Sequence, residues 1–327
     1  MKKKKIAFLF SGQGAQYRGM GIDLAQNSEI AKIFELASDI MGQDMKKLLA
    51  ESDGELLKAT SIAQPAITLV NLAAATVLQE HGITAAACAG HSLGEYSALC
   101  TAGCISACDT FRLVKERGAL MQEAAAIAGG GSIANGGSES AADAGGAVMA
   151  AVLGLAPDAI DGIVENARKD GIVDLYVANY NSTRQTVVSG TPTALKQAEA
   201  LFKAAGARRF MPLKVSGPFH SPLMADAEQK FSQILNKIEF KPPEIPLFSN
   251  VSGKIVSSAA ETKELLLHQI TSPVHWTAIE DGISALGVDT ALEVGPGKVL
   301  CGLWEQGISG IPCYPAGTTA DIEKLCE

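Results

Sequence analysis

The sequence predicts an α/β fold in which a small unit is inserted into a larger sheet domain. Apolar runs at 5–10 and 83–88 have the composition of buried strands, and each leads into a glycine-containing turn and a helical segment. Between residues 147 and 213, the predicted segments follow the order strand, helix, strand, strand, helix, strand, which is that of a ferredoxin-like unit. A chain of 327 residues can hold one large domain and a smaller one.

The large domain is expected to comprise residues 1–127 and 215–327, and the small one residues 128–214. Residues 128–146 are nearly all Gly, Ala, Ser or acidic, without periodicity, which predicts a flexible surface loop. Residues 23–82 are predicted to be mostly helical. Breaks are expected near residues 26–28, 52–54 and 64–65. The small unit has predicted strands at 147–153, 175–179, 186–190 and 209–213, and helices at 157–169 and 192–205.

The composition argues against several classes of protein. Hydrophobic residues make up 47% of the chain and charged residues 19%, as in ordinary soluble globular proteins. A net charge of −8 argues against a nucleic-acid partner or an anionic membrane surface. The apolar run after the lysines at 2–5 is too short for a signal peptide, and no stretch approaches the ~20 apolar residues of a membrane span. We therefore expect a cytoplasmic protein.

The cysteines do not suggest a metal site. The chain has seven, with no Cys-x-x-Cys pair. Cys100, Cys104 and Cys108 are spaced to share a helix face, but no fourth ligand is evident nearby. We interpret them as small buried thiols in a reducing compartment.

Residues 90–94, Gly-His-Ser-Leu-Gly, form a candidate nucleophile elbow between a predicted strand and a predicted helix. At so sharp a turn, Ser92 must take a strained backbone conformation, and a side chain at Gly90 or Gly94 would collide with its neighbours. The serine would then stand at the end of the sheet, beside the N–H groups of the following helix. The alternative is an ordinary turn serine in a chain with 33 glycines.

His220 is the candidate general base. It is one of only five histidines, and it lies in a short loop between the two predicted domains, where a cleft would form. The alternative is a structural histidine. No acidic residue is clearly placed between Ser92 and a C-terminal histidine, as the hydrolase triad order requires, which favours a Ser–His dyad.

Six motifs in order resemble one family. They are residues 12–16 (Gly-Gln-Gly-Ala-Gln), 90–95, Arg117-Gly118, 219–224, Gln269 before 272–276 (Ser-Pro-Val-His-Trp), and 293–297 (Glu-Val-Gly-Pro-Gly). Together they closely resemble the malonyl-CoA:acyl carrier protein transacylases of fatty-acid synthesis and the acyltransferase domains of polyketide synthases. The resemblance runs from residue 6 to about residue 304. It departs from the family at 128–146, where the family has a shorter connection.

The resemblance implies an α/β-hydrolase-like large domain with an inserted ferredoxin-like subdomain. It implies that Ser92 attacks the malonyl thioester and that His220 takes its proton, with the backbone carbonyl of Gln269 orienting the imidazole. The backbone N–H groups of Gln13 and Leu93 would hold the oxyanion.

The same resemblance implies how the substrates are recognised. Arg117 would clamp the free malonyl carboxylate, and Phe219 would narrow the pocket where a methyl branch would lie, which favours malonyl over methylmalonyl. Acyl carrier protein is the implied acceptor and malonyl-CoA the implied donor. No metal or cofactor is expected to take part, and we expect the protein to be a monomer.

Other functions remain open at this point. A serine esterase or thioesterase on the same scaffold would have no use for a buried Arg117. A non-catalytic carrier-protein binding module would lack Ser92 or His220, and both are present. The motifs do not separate fatty-acid synthesis from a trans-acting polyketide acyltransferase or from malonate decarboxylation.

Overall fold

The computed structural model describes residues 4–128 and 148–327. The strands in this part of the chain are β1 (Ile6–Phe10), β2 (Ala85–Gly90), β3 (Met149–Leu153), β4 (Leu175–Ser182), β5 (Gln185–Gly190), β6 (Arg209–Pro212), β7 (Thr290–Val294) and β8 (Cys313–Ala316). The helices are α1 (Ser28–Met41), α2 (Met45–Glu51), α3 (Thr60–Glu80), α4 (Gly94–Thr101), α5 (Ala107–Ala128), α6 (Pro157–Lys169), α7 (Pro192–Ala204), α8 (Ala225–Leu235), α9 (Ala259–His268), α10 (Trp276–Ala285), α11 (Val299–Gly307) and α12 (Thr319–Cys326).

The first sheet is parallel and has the strand order β2-β1-β7-β8. In its register, Phe10 at the end of β1 lies opposite Gly90 at the end of β2 and opposite Val294 at the end of β7. The carboxyl ends of these three strands therefore meet at one edge of the sheet. The loops that leave this edge carry the glycine-rich segment 11–14 and the predicted elbow.

The second sheet is antiparallel and has the strand order β4-β5-β3-β6. With α6 and α7 between its strands, it has the predicted ferredoxin-like order, and the predicted fold class is confirmed. β4 runs three residues further than predicted, to Ser182, and β2 is shifted from 83–88 to Ala85–Gly90. Apart from Ala128, which ends α5, the predicted loop at 128–146 lies outside the described residues.

Helix α3 corrects two sequence predictions. The break predicted at 64–65 is wrong, because the helix continues through Pro65. The proline removes one backbone donor near the start of a helix that is buried on nearly all sides, and packing against α1, α4 and α5 outweighs that loss. The expectation that no stretch is long and apolar enough to cross a membrane is also wrong for this helix by length and composition. Most of α3 is nevertheless buried inside the protein, as a core helix.

Strand β4 joins the second sheet to the first domain. Val274 N donates to the carbonyl of Ala178 at 2.8 Å, and Tyr180 N donates to the carbonyl of Val274 at 2.9 Å. On the same strand, Asn181 Oδ1 lies 2.8 Å from His91 Nε2. Since His91 precedes Ser92, these contacts place the second sheet directly beside the elbow.

Candidate active site

The structure contains the predicted elbow between β2 and α4. Ser92 has a φ of 50°, in the left-handed region that residues with a side chain rarely adopt. A Cβ on Gly90 would overlap the backbone of Gly94, and a Cβ on Gly94 would overlap the carbonyl of Phe10. The predicted steric need for both glycines is confirmed.

Two amide side chains hold the strained peptide groups of Ser92. Its N–H donates to Asn250 Oδ1 at 2.7 Å, and Asn250 Nδ2 donates to the Gly90 carbonyl at 2.7 Å. The Ser92 carbonyl accepts from Gln269 Nε2 at 2.9 Å. Such a backbone conformation costs about 1–3 kcal/mol, which these hydrogen bonds offset. Sequence analysis missed Asn250, whose only signal is a polar Ser-Asn pair directly after the apolar residues 247–248.

His220 lies within hydrogen-bonding distance of the serine. Its Nε2 is 2.8 Å from Ser92 Oγ, and its Nδ1 is 3.0 Å from the carbonyl of Gln269 and 3.1 Å from that of Ser272. Two carbonyl acceptors assign the proton to Nδ1, so that Nε2 can accept from the serine hydroxyl. Burial, reinforced by the charge of Arg117, lowers the pKa of His220 to about 3. The imidazole is therefore neutral at pH 7, and Ser272 is a second orienting residue that sequence analysis missed.

The other four histidines have different partners. His81 Nδ1 contacts the Val77 carbonyl, and His268 Nδ1 lies 3.2 Å from Glu228 Oε1. His275 stacks on Tyr180, and His91 contacts Asn181. Within the described residues, none of the four is hydrogen-bonded to Ser92.

Arg117 is buried beside the serine. Its side chain comes from α5 and is only 1% exposed, and Nη2 donates to Ser92 Oγ at 3.2 Å and to Gln269 Oε1 at 3.0 Å. The guanidinium lies 5.3 Å from the centre of the Tyr96 ring. Arg112 of the same helix is instead exposed, with Asp109 at 3.5 Å.

The buried guanidinium has no anionic partner in direct contact. Among the described residues, no salt bridge includes Arg117, and its Nε has no hydrogen-bond partner. Burial lowers the pKa of Arg117, but an arginine remains a cation in a protein. The site therefore contains a desolvated positive charge next to the serine hydroxyl.

Gln13 and Leu93 lie on two segments that meet at the elbow. A Cβ on Gly12 would overlap the His91 carbonyl, so the loop after β1 lies directly against the turn. Leu93 immediately precedes α4, at the N-terminal end of that helix. Within the described residues, no hydrogen bond uses the backbone N–H of Gln13 or Leu93, and the Gln13 side chain is occupied separately, by Thr60 Oγ1 at 3.2 Å.

Phe219, directly before His220, is 6% exposed and belongs to the main apolar core. Its ring packs close to Gly217. Its effect on the width of the acyl pocket stays a prediction.

The comparisons with known proteins place this fold among the acyl transferases. The family model described as "Acyl transferase domain" matches residues 7–154. The malonyl CoA-acyl carrier protein transacylase of Bacillus subtilis (strain 168) is 39% identical over 300 residues, covering 91% of this chain and 89% of that protein.

Two solved structures agree with this assignment. The malonyl-CoA:acyl carrier protein transacylase of Xanthomonas oryzae pv. oryzae matches with a TM-score of 0.88 at 33% identity, over 100% of this chain and 98% of that one. A malonyl-transacylase in complex with a type II polyketide synthase acyl carrier protein matches with a TM-score of 0.88 at 35% identity, over 98% of this chain and 99% of that one. The chain belongs to the malonyl-CoA:acyl carrier protein transacylase family, as its motifs predict.

Proposed function

We propose that this enzyme transfers the malonyl group of malonyl-CoA to the phosphopantetheine thiol of acyl carrier protein, through an ester on Ser92, and so supplies fatty-acid synthesis. The observation that carries this proposal is the buried Arg117 beside Ser92 Oγ, with no carboxylate within salt-bridge distance of it among the described residues. A desolvated charge without a partner costs several kcal/mol. An acyl group that brings its own carboxylate supplies that partner, and the planar guanidinium can meet both of its oxygens.

In the first half-reaction, His220 Nε2 accepts the proton of Ser92 Oγ while the oxygen attacks the thioester carbonyl. The backbone N–H groups of Gln13 and Leu93 stabilise the oxyanion that forms. When the tetrahedral intermediate collapses, the carbon–sulfur bond breaks. His220 returns the proton to the sulfur of coenzyme A, and malonyl-serine remains.

The second half-reaction reverses these steps with a different thiol. His220 accepts the proton of the carrier-protein thiol, whose sulfur attacks the malonyl ester. The ester bond to Ser92 breaks, and the serine oxygen regains its proton from the imidazole. One thioester replaces another without oxidation or reduction, so the chemistry requires malonyl-CoA but no further cofactor.

The solved complex of a malonyl-transacylase with its acyl carrier protein supports a carrier protein as the acceptor here. We further infer that the enzyme works in the cytoplasm as a monomer. Light scattering during gel filtration tests the monomer, and a dimer mass would contradict it.

Intact-protein mass spectrometry tests the proposed reaction. After mixing with malonyl-CoA, the protein should gain one malonyl group and lose it to added acyl carrier protein. Ser92→Ala should gain none. Ser97→Ala should still be malonylated, because it changes a buried serine of α4 whose Oγ accepts from Asn71 Nδ2 and has no histidine partner among the described residues. An adduct on Ser92→Ala would overturn the assignment. Release of free malonate without transfer would identify a thioesterase.

A further inference from the structure

Glu95 is a buried carboxylate that the proposed reaction does not use. It lies in the first turn of α4 and is 4% exposed. Its Oε2 accepts from Gln269 Nε2 at 2.6 Å, and its Oε1 accepts from Asn250 N at 3.2 Å. Both partner residues also hold Ser92, so Glu95 anchors the carboxamide of Gln269 and the backbone of Asn250.

The carboxamide of Gln269 has one orientation that satisfies its neighbours. Its Nε2 faces two acceptors, Glu95 Oε2 and the Ser92 carbonyl, while its Oε1 accepts from Arg117 Nη2. Turning the amide over would put oxygen against both acceptors and nitrogen against the guanidinium. Glu95 therefore fixes, through one side chain, the group that holds Arg117.

We propose that Glu95 is a positioning residue for acyl selection, which holds the Arg117 guanidinium in place for the substrate carboxylate through the carboxamide of Gln269. The inference rests on the proposed malonyl transfer. The hydrogen-bond partners of Glu95 are Gln269 and Asn250 rather than Ser92 Oγ or the His220 imidazole, so it acts through Gln269. The Glu95 carboxylate also partly balances the buried charge of Arg117. Burial raises the pKa of Glu95, and the attraction of the guanidinium opposes this effect by lowering it.

The variant Glu95→Gln keeps the shape of the side chain and removes its charge. An amide at this position faces two donors, Asn250 N–H and Gln269 Nε2, and can accept well from only one of them. A buried donor left unsatisfied should lower kcat/KM for malonyl transfer by about tenfold to about a hundredfold. Acetyl transfer, which brings no carboxylate, should fall much less, so the malonyl-to-acetyl ratio should fall.

The pH dependence gives a second readout that needs no variant. Burial raises the pKa of Glu95 to about 7. The titratable and charged groups around it are Arg117 of α5, Tyr96 of α4 and His220. Burial raises the pKa of Tyr96 and lowers that of His220 to about 3, so both side chains are neutral at pH 7. Arg117 remains a cation throughout. Glu95 is therefore the one member of this group that changes charge near neutral pH. The wild-type malonyl-to-acetyl ratio should therefore decrease as the pH falls through about 7. The phosphates of coenzyme A titrate in both donors and cancel in the ratio.

The experiment measures malonyl and acetyl transfer from about pH 5.5 to about pH 8.5 for wild type, Glu95→Gln and Glu280→Gln. Glu280 is a matched control, because it is a buried carboxyl on α10 that contacts Trp276 rather than Gln269. We expect the malonyl-to-acetyl ratio to decrease as the pH is lowered in wild type and in Glu280→Gln. In Glu95→Gln, the ratio should be low at every pH.

Each of the other outcomes would contradict either the role inferred for Glu95 or the proposed function. Equal losses of malonyl and acetyl transfer in Glu95→Gln would leave only a structural role at the elbow and overturn the inference. A flat wild-type ratio would overturn it even if the variant fails to fold. Absence of malonyl-serine in the wild type would overturn the proposed function itself, and this inference with it.

Discussion

At the scale of single residues, Arg117 makes the most direct prediction about substrate choice. Replacing it with alanine removes the cation that the malonyl carboxylate would meet in a desolvated site. Malonyl transfer should then lose about 3–5 kcal/mol of transition-state stabilisation, the scale for breaking a buried charge pair. Acetyl transfer should change far less, because acetyl brings no charge. The measurement is the ratio of malonyl to acetyl transfer in wild type and Arg117→Ala.

Arg112→Ala is the matched control for that experiment, since it removes an exposed arginine from the same helix. Its ratio should equal that of the wild type. If Arg117→Ala keeps the wild-type ratio, malonyl selectivity comes from another group.

His220 makes a second prediction at this scale. Removal of a positioned general base should slow acylation of Ser92 by roughly 10²–10⁴-fold in His220→Ala. With acetyl-CoA, the wild-type rate should stay nearly constant from about pH 5 to about pH 8. The reason is that burial holds the pKa of His220 at about 3, so the imidazole stays neutral over this range. Rapid-quench measurement of acyl-serine gives both the rate of acylation in His220→Ala and the pH dependence of the wild-type rate. A normal rate in His220→Ala would assign the role to another group.

At the scale of secondary-structure elements, the junction of β1, β2 and α4 depends on close backbone contact. A Cβ on Gly94 would overlap the Phe10 carbonyl, so Gly94→Ala must push α4 away from β1. We expect a loss of about 1–3 kcal/mol of unfolding free energy or more, measured by chemical denaturation, or a loss of soluble protein.

Gly162 provides the control for this substitution. It lies in α6, and apart from its chain neighbours and the nearby backbone of that helix, a Cβ there would have no atom of the described residues within 4 Å. Gly162→Ala should therefore stabilise the protein by about 0.5–1 kcal/mol through helix propensity. Equal stability of the two variants would show that the elbow tolerates a side chain at Gly94.

At the scale of the whole molecule, residues 129–145 are predicted to be dispensable for the reaction. They carry almost no large apolar side chain and no candidate catalytic group. A shorter connection changes the entropy of loop closure only slightly. A variant with this stretch replaced by a few glycines and serines should be soluble and should transfer malonyl at close to the wild-type rate. Insoluble protein, or a large loss of transfer, would show that the stretch packs against or recognises something.

The sequence could predict those parts of the site that depend on local sterics and on motif order. The glycines on either side of Ser92 specify a sharp turn without help from distant residues, and the alternation of strands and helices in 147–213 specifies the second sheet. The elbow pattern made Ser92 the candidate nucleophile, the short loop between the two predicted domains made His220 the candidate base, and the resemblance to one family assigned Arg117 to the malonyl carboxylate. In the structure, these three side chains are joined by hydrogen bonds at Ser92 Oγ.

The tertiary structure alone decided how those side chains are held. The Gln269 carbonyl lies 3.0 Å from His220 Nδ1, where the resemblance implies an orienting group, and the Gln269 side chain also joins Glu95 to Arg117. That role, and the second carbonyl acceptor at Ser272, depend on contacts between residues far apart in the chain. Pro65 shows the same limit, because burial of the whole helix overrode a local signal for a break. Local sequence constrains the conformation of a few residues at a time, whereas the partner of a buried polar group depends on which distant segments the packed core brings into contact.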